Sequence, residues 1–352
     1  MSEENSSARI APPVRWGVLG VSHFARVAAM PALKKAPLAQ LRALASRSLD
    51  KAQRAAAELD GVRAYGSYEE LLADPELDAI YISLPNALHV PWSIAAARAG
   101  KHVLCEKPLA LSRAEAEQLS DVAHETGKLV AEGFMVRYHP QWLAVAELIR
   151  SGRIGELRAV QTAFSYSNTD LEDIRNRQDS GGGALLDIGC YAVNTARLIF
   201  AREPQRVIGV AERDPRSGCD RLTSAILDFG TGQASFVIGT QHVPYQRVHV
   251  FGTRGHLELE IPFNAPHDRP CPVYIDEGFV GAPDFTVQTS SDERAELVPV
   301  AAANHFALQW QAVSAAIRSG FALPNDMQSA VANARVLDAI LRSTTSERWE
   351  KP

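Results

Sequence analysis

Cysteine is scarce in this chain of 352 residues, and the four that occur, Cys105, Cys190, Cys219 and Cys271, stand far apart with no C-x-x-C pair. That spacing argues against a disulfide framework or a thiolate zinc site, and makes reduced thiols in a cytoplasmic protein the expectation. An excess of one charge is missing too: 36 Lys and Arg face 41 Asp and Glu, interspersed, for a net charge of −5. Neither nucleic acid nor a membrane surface is then an expected partner. No apolar run approaches the length that spans a bilayer. Residues 1–13 lack a basic segment followed by an apolar one and read as a disordered tail, not a signal peptide. Internal repeats and low-complexity segments are absent as well.

What is present is an ordinary globular composition, 46% hydrophobic and 22% charged, over a length too great for one core. Two domains are expected. Over residues 14–135, strands at 14–20, 41–45, 62–65, 79–83, 102–105 and 128–132 alternate with helical stretches, the pattern of a doubly wound parallel sheet. Ligands of such a sheet sit outside the carboxyl ends of its strands. The first strand runs into a degenerate G-x-G-x-x-G turn, with Gly20, Ser22 and Ala25 at the glycine positions and His23 and Phe24 between. Helix N-terminal amides at that place receive a pyrophosphate.

The second strand ends in Ser46-Arg47-Ser48, with Lys51 one turn further, instead of the carboxylate that would hold a ribose 2′-hydroxyl. A hydroxyl and a guanidinium suit a 2′-phosphate, which favours NADP over NAD. The loop after the fourth strand, Ser83-Leu84-Pro85-Asn86 and on to His89, lies where a nicotinamide ribose would be held. Glu106, Lys107 and Pro108 follow the fifth strand. In isolation that is a surface ion pair ahead of a turn. At a strand's carboxyl end, a partly desolvated lysine has a lowered pKa suited to proton transfer.

Residues 136–325 change character. A helix at 141–150 precedes strands at 157–166, 206–212, 222–229, 234–241, 247–251, 256–260 and 273–275, separated by tight turns. Consecutive short strands imply antiparallel pairing in one large open sheet, an α+β domain whose bare face calls for a second copy of the chain. Arg137, at the exit of the sixth strand, and Arg175 are candidates for a polar substrate pocket, and Arg177 for the pocket or the cofactor. Asp187, Tyr191 and Asn194, spaced by four and three on one helical face, form a poor core face. A sugar's hydroxyls would supply the partners such groups need. Helices are expected at 304–319 and 326–343.

Taken together, the chain resembles the glucose–fructose oxidoreductase/inositol dehydrogenase/rhizopine catabolism family, written Gfo/Idh/MocA. Four segments carry the likeness: Gly17-Val18-Leu19-Gly20; Pro85-Asn86 with His89; Ala99-Gly100-Lys101-His102-Val103-Leu104-Cys105-Glu106-Lys107-Pro108; and Gly181-Gly182-Gly183-Ala184-Leu185-Leu186-Asp187-Ile188-Gly189-Cys190-Tyr191. The resemblance implies a Rossmann domain followed by the open-sheet domain, with residues 326–352 returning to pack on the Rossmann domain. It makes Lys107 the catalytic lysine, with a cis bond to Pro108, and sets Glu106 against the cofactor to orient it. Tyr191 stands where many members have histidine. It points to the branch of glucose–fructose oxidoreductase, dimeric dihydrodiol dehydrogenase and NADP-linked xylose dehydrogenases.

The expected activity is NADP-dependent hydride transfer at a sugar carbinol carbon, an aldose 1-dehydrogenase of the D-xylose or D-glucose type, without a metal. Either Tyr191 accepts the hydroxyl proton beside Lys107, or Lys107 is the direct base. Asp187 accepts from sugar hydroxyls or pairs with Lys107. A nucleotide-linked ketosugar reductase, a dihydrodiol dehydrogenase whose apolar pocket would draw on Phe134, Phe164 and Tyr166, and a cofactor-binding regulator without turnover are the other readings. A homodimer or homotetramer through the open sheet is the expected assembly.

Overall fold

The computed structural model describes residues 12–277 and 295–352, so most of the expected N-terminal tail lies outside the described residues. Six parallel strands form the first sheet: β1 (Val14–Leu19), β2 (Ala39–Ala45), β3 (Arg63–Tyr65), β4 (Ala79–Ile82), β5 (His102–Glu106) and β6 (Val130–Gly133). Their order, β3-β2-β1-β4-β5-β6, reverses direction between β1 and β4, which opens a crevice at the strands' carboxyl ends. Helices α1 (Met30–Leu33), α2 (Leu49–Ala56), α3 (Tyr68–Ala73), α4 (His89–Arg98) and α5 (Arg113–Thr126) connect them. Ser48, Ser67 and Ser112 cap α2, α3 and α5 by accepting N–H groups of the first turn, which satisfies donors that a helix start leaves open. β4 is buried on every residue, as a central parallel strand covered on both faces must be.

The second sheet has eight strands: β7 (Leu157–Ser167), β8 (Arg206–Arg213), β9 (Asp220–Asp228), β10 (Gln233–Gly239), β11 (Gln241–Gly252), β12 (His256–Leu259), β13 (Val273–Asp276) and β14 (Glu296–Val298). Their order is β14-β13-β12-β11-β7-β10-β9-β8. All pairs are antiparallel except β7 with β10. Two strands expected at 234–241 and 247–251 are instead β10 and a longer β11, divided at Thr240. The chain crosses there from one side of β7 to the other, so the division is sharp. Helices α6 (Pro140–Arg150) and α7 (Cys190–Phe200) contribute to the core on one face. On the other face Val210, Val237 and Tyr245 are 69%, 46% and 49% exposed.

Two C-terminal helices join the lobes. α8 (His305–Ser319), expected within the 136–325 domain, packs on the parallel sheet. The cause is a buried indole pair: Trp310 meets Trp16 edge-on at 4.8 Å. Its Nε1 donates to the Ala29 carbonyl at 2.9 Å, while that of Trp16 donates to Ser314 Oγ at 3.0 Å. α9 (Met327–Ser346) does more than return to the Rossmann lobe. Ala330, Val331 and Ala334 enter that core, and Val336, Leu337 and Ile340 enter the core of the second sheet.

Candidate active site

The site is built where β5, β7 and the start of α7 converge. Lys107, immediately after β5 and joined to Pro108 by a cis bond, extends its ammonium across to the other lobe. Nζ donates to the Asp187 carbonyl at 2.5 Å and to Asp187 Oδ1 at 3.1 Å. It also stands 5.1 Å from the centroid of the Tyr191 ring. Asp187 is held in a π turn (Leu185–Gly189) that leads into α7. Gly183, at φ +119°, makes this turn possible, because a Cβ there would lie 2.1 Å from Asp220 Oδ1. Asp220 in turn accepts the Leu185 N–H at 2.8 Å.

Tyr191 lies on an aromatic bed of Phe134, Phe164 and Phe263, with centroids 5.4, 6.1 and 5.4 Å away. Its hydroxyl points to Met135 Sδ at 3.5 Å. Asp187 Oδ2 accepts from the Tyr166 hydroxyl at 2.6 Å and lies 3.6 Å from Arg175 Nε. Arg175 also donates to Asp173 Oδ1 at 3.3 Å. In the sequence Tyr166 reads only as a possible apolar wall. Its position as the inward residue two beyond Phe164 on β7 was the available signal.

The electrostatics follow from burial and pairing. Burial alone would lower the Lys107 pKa, but the Asp187 carboxylate, with Tyr191, outweighs it and the pKa is raised. Burial would raise Asp187, yet Lys107, Arg175 and the Tyr166 hydrogen bond together lower it. Both groups are therefore charged around neutrality. The Tyr191 phenol is pushed up by burial, with Lys107 pulling against it.

Glu106, expected beside the lysine, turns its Oε1 to the Tyr81 hydroxyl on β4 at 2.6 Å, and burial raises its pKa. His89 is fully buried, with Nδ1 2.7 Å from the Pro108 carbonyl and Nε2 2.9 Å from that of Leu84. Through its two ring nitrogens it ties two strand-end loops together. A residue missed in the sequence is Glu132 on β6. It is 3% exposed and accepts the Leu109 N–H at 2.8 Å, and burial pushes its pKa up to about 7.

At the crevice, Gly20 has φ +95°, and a Cβ would lie 2.8 Å from the Ser83 carbonyl and 2.6 Å from Leu84 Cδ2. Only glycine fits this turn. Ser22 Oγ accepts the Ala25 N–H at 3.0 Å and lies 2.6 Å from Ser83 Oγ, joining the β1 and β4 loops. His23 is exposed, whereas Phe24 packs edge-on against Phe306 of α8 at 5.5 Å, a core contact. Ser46 is buried after β2, and Arg47 is exposed there, its charge and hydrogen bond acting on the Tyr68 hydroxyl. Pro85 precedes a short turn from which Asn86 Nδ2 donates to the Gly181 carbonyl at 2.8 Å, across the lobes.

Three candidates stand apart from the Lys107–Asp187–Tyr191 cluster. Arg137 donates to the Pro324 carbonyl at 2.8 Å and to Ser329 Oγ at 3.3 Å, bracing the start of α9. Arg177 is exposed and paired with Asp179 at 2.7 Å. Asn194 is 1% exposed, further along α7, and its amide atoms have no hydrogen-bond partner among the described residues. Among the described residues, no group of three or more His, Cys, Asp and Glu is placed to hold a metal ion, and no helix is long and apolar enough to cross a membrane.

A family model described as an oxidoreductase family with an NAD-binding Rossmann fold matches residues 14–134, and the GFO/IDH/MocA C-terminal domain matches residues 142–258. The chain belongs to the Gfo/Idh/MocA oxidoreductase family. Within it, an uncharacterised oxidoreductase from Rhizobium meliloti is 44% identical over 338 residues, covering 96% of this chain and 98% of that protein. A D-xylose 1-dehydrogenase (NADP(+)) from Haloferax volcanii is 35% identical over 333 residues, 93% of this chain and 96% of that one. A crystal structure of a 3-ketoreductase from Actinomadura kijaniata, in complex with NADP and TDP-benzene, superposes with a TM-score of 0.85 at 32% identity. That match covers 94% of this chain and 98% of the other. The Gfo/Idh/MocA fold thus accounts for both sheets.

Proposed function

We propose that this protein is an NADP-dependent aldose 1-dehydrogenase, acting on a D-xylose- or D-glucose-type sugar, with Lys107, Tyr191 and Asp187 at its catalytic centre. The observation that carries this reading is the Lys107 ammonium fixed over the Tyr191 ring at the carboxyl end of a parallel sheet. The crevice suits NADP: the Gly20 turn admits a close-lying pyrophosphate, and Arg47 offers an exposed guanidinium for a 2′-phosphate. When bound, the nicotinamide takes up the hydride.

The chain's own groups manage the proton. Lys107 is held charged by Asp187, so it acts as a fixed cation and Tyr191 as the group that exchanges the sugar hydroxyl's proton. On this reading the phenol is the direct acceptor and the lysine its fixed cationic neighbour. Asp187 does not receive sugar hydroxyls in this scheme, because Lys107 takes one oxygen and Tyr166 and Arg175 the other. Phe134 and Phe164 lie buried beneath Tyr191. Beside this apolar bed stand Lys107 and Asp187, with Tyr166 and Arg175 on Asp187, a polar set that suits a polyhydroxy substrate better than an aromatic diol.

We take residues 14–135 as the cofactor lobe and read the protein as cytoplasmic, assembling as a homodimer or homotetramer through the bare sheet. A nucleotide-linked ketosugar reductase is the second reading, supported by the likeness to the 3-ketoreductase; it uses the same pair in reverse. Titrating NADP and NAD with a panel of aldoses while following reduced-nicotinamide absorbance tests both. The expected result is turnover of an aldose with NADP preferred, a preference that Arg47→Asp abolishes. Turnover confined to NADPH with a nucleotide-linked ketosugar would replace the first reading with the second.

A further inference from the structure

We infer that Tyr166 is a positioning residue of this site, whose hydroxyl holds the Asp187 carboxylate in the orientation that keeps the Lys107 ammonium over Tyr191. The inference rests on the reading that Lys107 and Tyr191 carry the proton chemistry. Tyr166 closes the inward set of β7, following Val160, Thr162 and Phe164. The ladder beside it is irregular. Gln241 pairs with Ser167 and Tyr245 with Ser165, so three β11 residues, His242, Val243 and Pro244, lie opposite Tyr166 alone. Ser165 Oγ donates to the Val243 carbonyl at 2.7 Å and pins this bulge. Bulges twist a strand and re-aim a side chain next to functional sites. The bulge lies on β11; Tyr166 on β7 keeps the inward side of the pleat opposite it, and its phenol ends 2.6 Å from Asp187 Oδ2.

The two Asp187 oxygens are thus assigned to different lobes. Oδ1 receives Lys107 from the cofactor lobe, and Oδ2 receives Tyr166 from the sheet. The Cβ–Cγ torsion of an aspartate is soft, so one donor at each oxygen is what fixes the carboxylate plane. Arg175 does not replace the phenol: its Nε is 3.6 Å from Oδ2 and its side chain is 42% exposed. The charged and titratable groups facing Asp187 are Lys107 with Glu106 behind it, Arg175 with Asp173 behind it, and Cys190 and Tyr191 on α7. The phenol's hydrogen bond favours the ionised carboxylate, so its removal moves the Asp187 titration upward.

Tyr166→Phe, Asp187→Asn and the double variant test this on the full chain. In aldose oxidation with NADP, Tyr166→Phe is expected to lower kcat about 10- to 100-fold, the size of a charge-assisted hydrogen bond. The aldose KM should stay within about threefold, and the acid limb of the pH profile should move to higher pH. In the Asp187→Asn background the same change should have no further effect. A second readout is the Tm of the cofactor-free proteins at pH 7, where the two single losses should be less than additive. Wild-type kcat and pH profile in Tyr166→Phe, or strictly additive losses in both assays, would overturn the inference. If the wild-type protein oxidises no aldose, it is the functional reading that fails, and the Tm cycle decides alone. Coupling there supports the Tyr166–Asp187 link and additivity removes it. If Asp187→Asn does not fold, the Tyr166→Phe pH profile decides.

Discussion

Glu132 is a buried carboxyl with a consequence for pH. Its side chain is enclosed behind the 107–111 loop, and burial raises its pKa from 4.5 to about 7. The fold therefore favours the protonated form. Stability is full below the unfolded-state pKa and falls as pH rises towards 7, where the folded protein must bury the charge. Glu132→Gln keeps an acceptor for the Leu109 N–H without the charge. Relative to wild type it should gain about 2.5 kcal/mol between pH 5 and pH 8, measured by urea unfolding at the two pH values. A stability difference that does not change with pH would contradict this. Glu132 was not singled out in the sequence because a lone carboxylate at a strand end reads as solvated. Its burial depends on loops that the linear pattern does not place. Lys107, Asp187 and Tyr191 were legible, since strand end and glycine run fixed their surroundings; Asn194 was not, because helical spacing alone does not say how deep a face is buried.

At the level of elements, α8 ties the C-terminal part of the chain to the first sheet. Trp310 is buried between Trp16 and Tyr81, at 4.8 and 5.0 Å. Trp310→Ala should lower stability by about 3–5 kcal/mol through the cavity left behind. Denaturant unfolding checks this, and a loss below about 1 kcal/mol would mean that α8 is not a structural member of that lobe. The parallel sheet was legible because strands and helical stretches alternate over residues 14–135. The destination of α8 was not: an amphipathic stripe tells that a face is buried, not against which sheet. The start of β11 was hidden for a related reason. Its residues 242–244 include Pro244 and read as a turn, whereas the fold uses them as a bulge.

For the whole molecule, the bare face of the eight-stranded sheet is the feature that remains to be covered. Val210 on β8, Val237 on β10 and Tyr245 on β11 are exposed, and Val237 stands between the buried Phe236 and Ile238. A copy of the chain seated there would remove this apolar surface from water. Val237→Asp should then convert the assembly to monomer in sedimentation velocity. An unchanged sedimentation coefficient would place the interface elsewhere. Such a copy leaves the crevice between the lobes open, since Lys107 and Tyr191 lie on the opposite side of the sheet's packed layer.

The two lobes meet where Lys107 of one reaches Asp187 and Tyr191 of the other, and the functional account stands on that junction. Its most direct test is steady-state oxidation of the preferred aldose by NADP in Tyr191→Phe, with NADPH affinity measured alongside by fluorescence. The account expects kcat to fall at least 100-fold, the scale of a lost proton-transfer group, while NADPH affinity stays within about threefold. A kcat within twofold of wild type would contradict it.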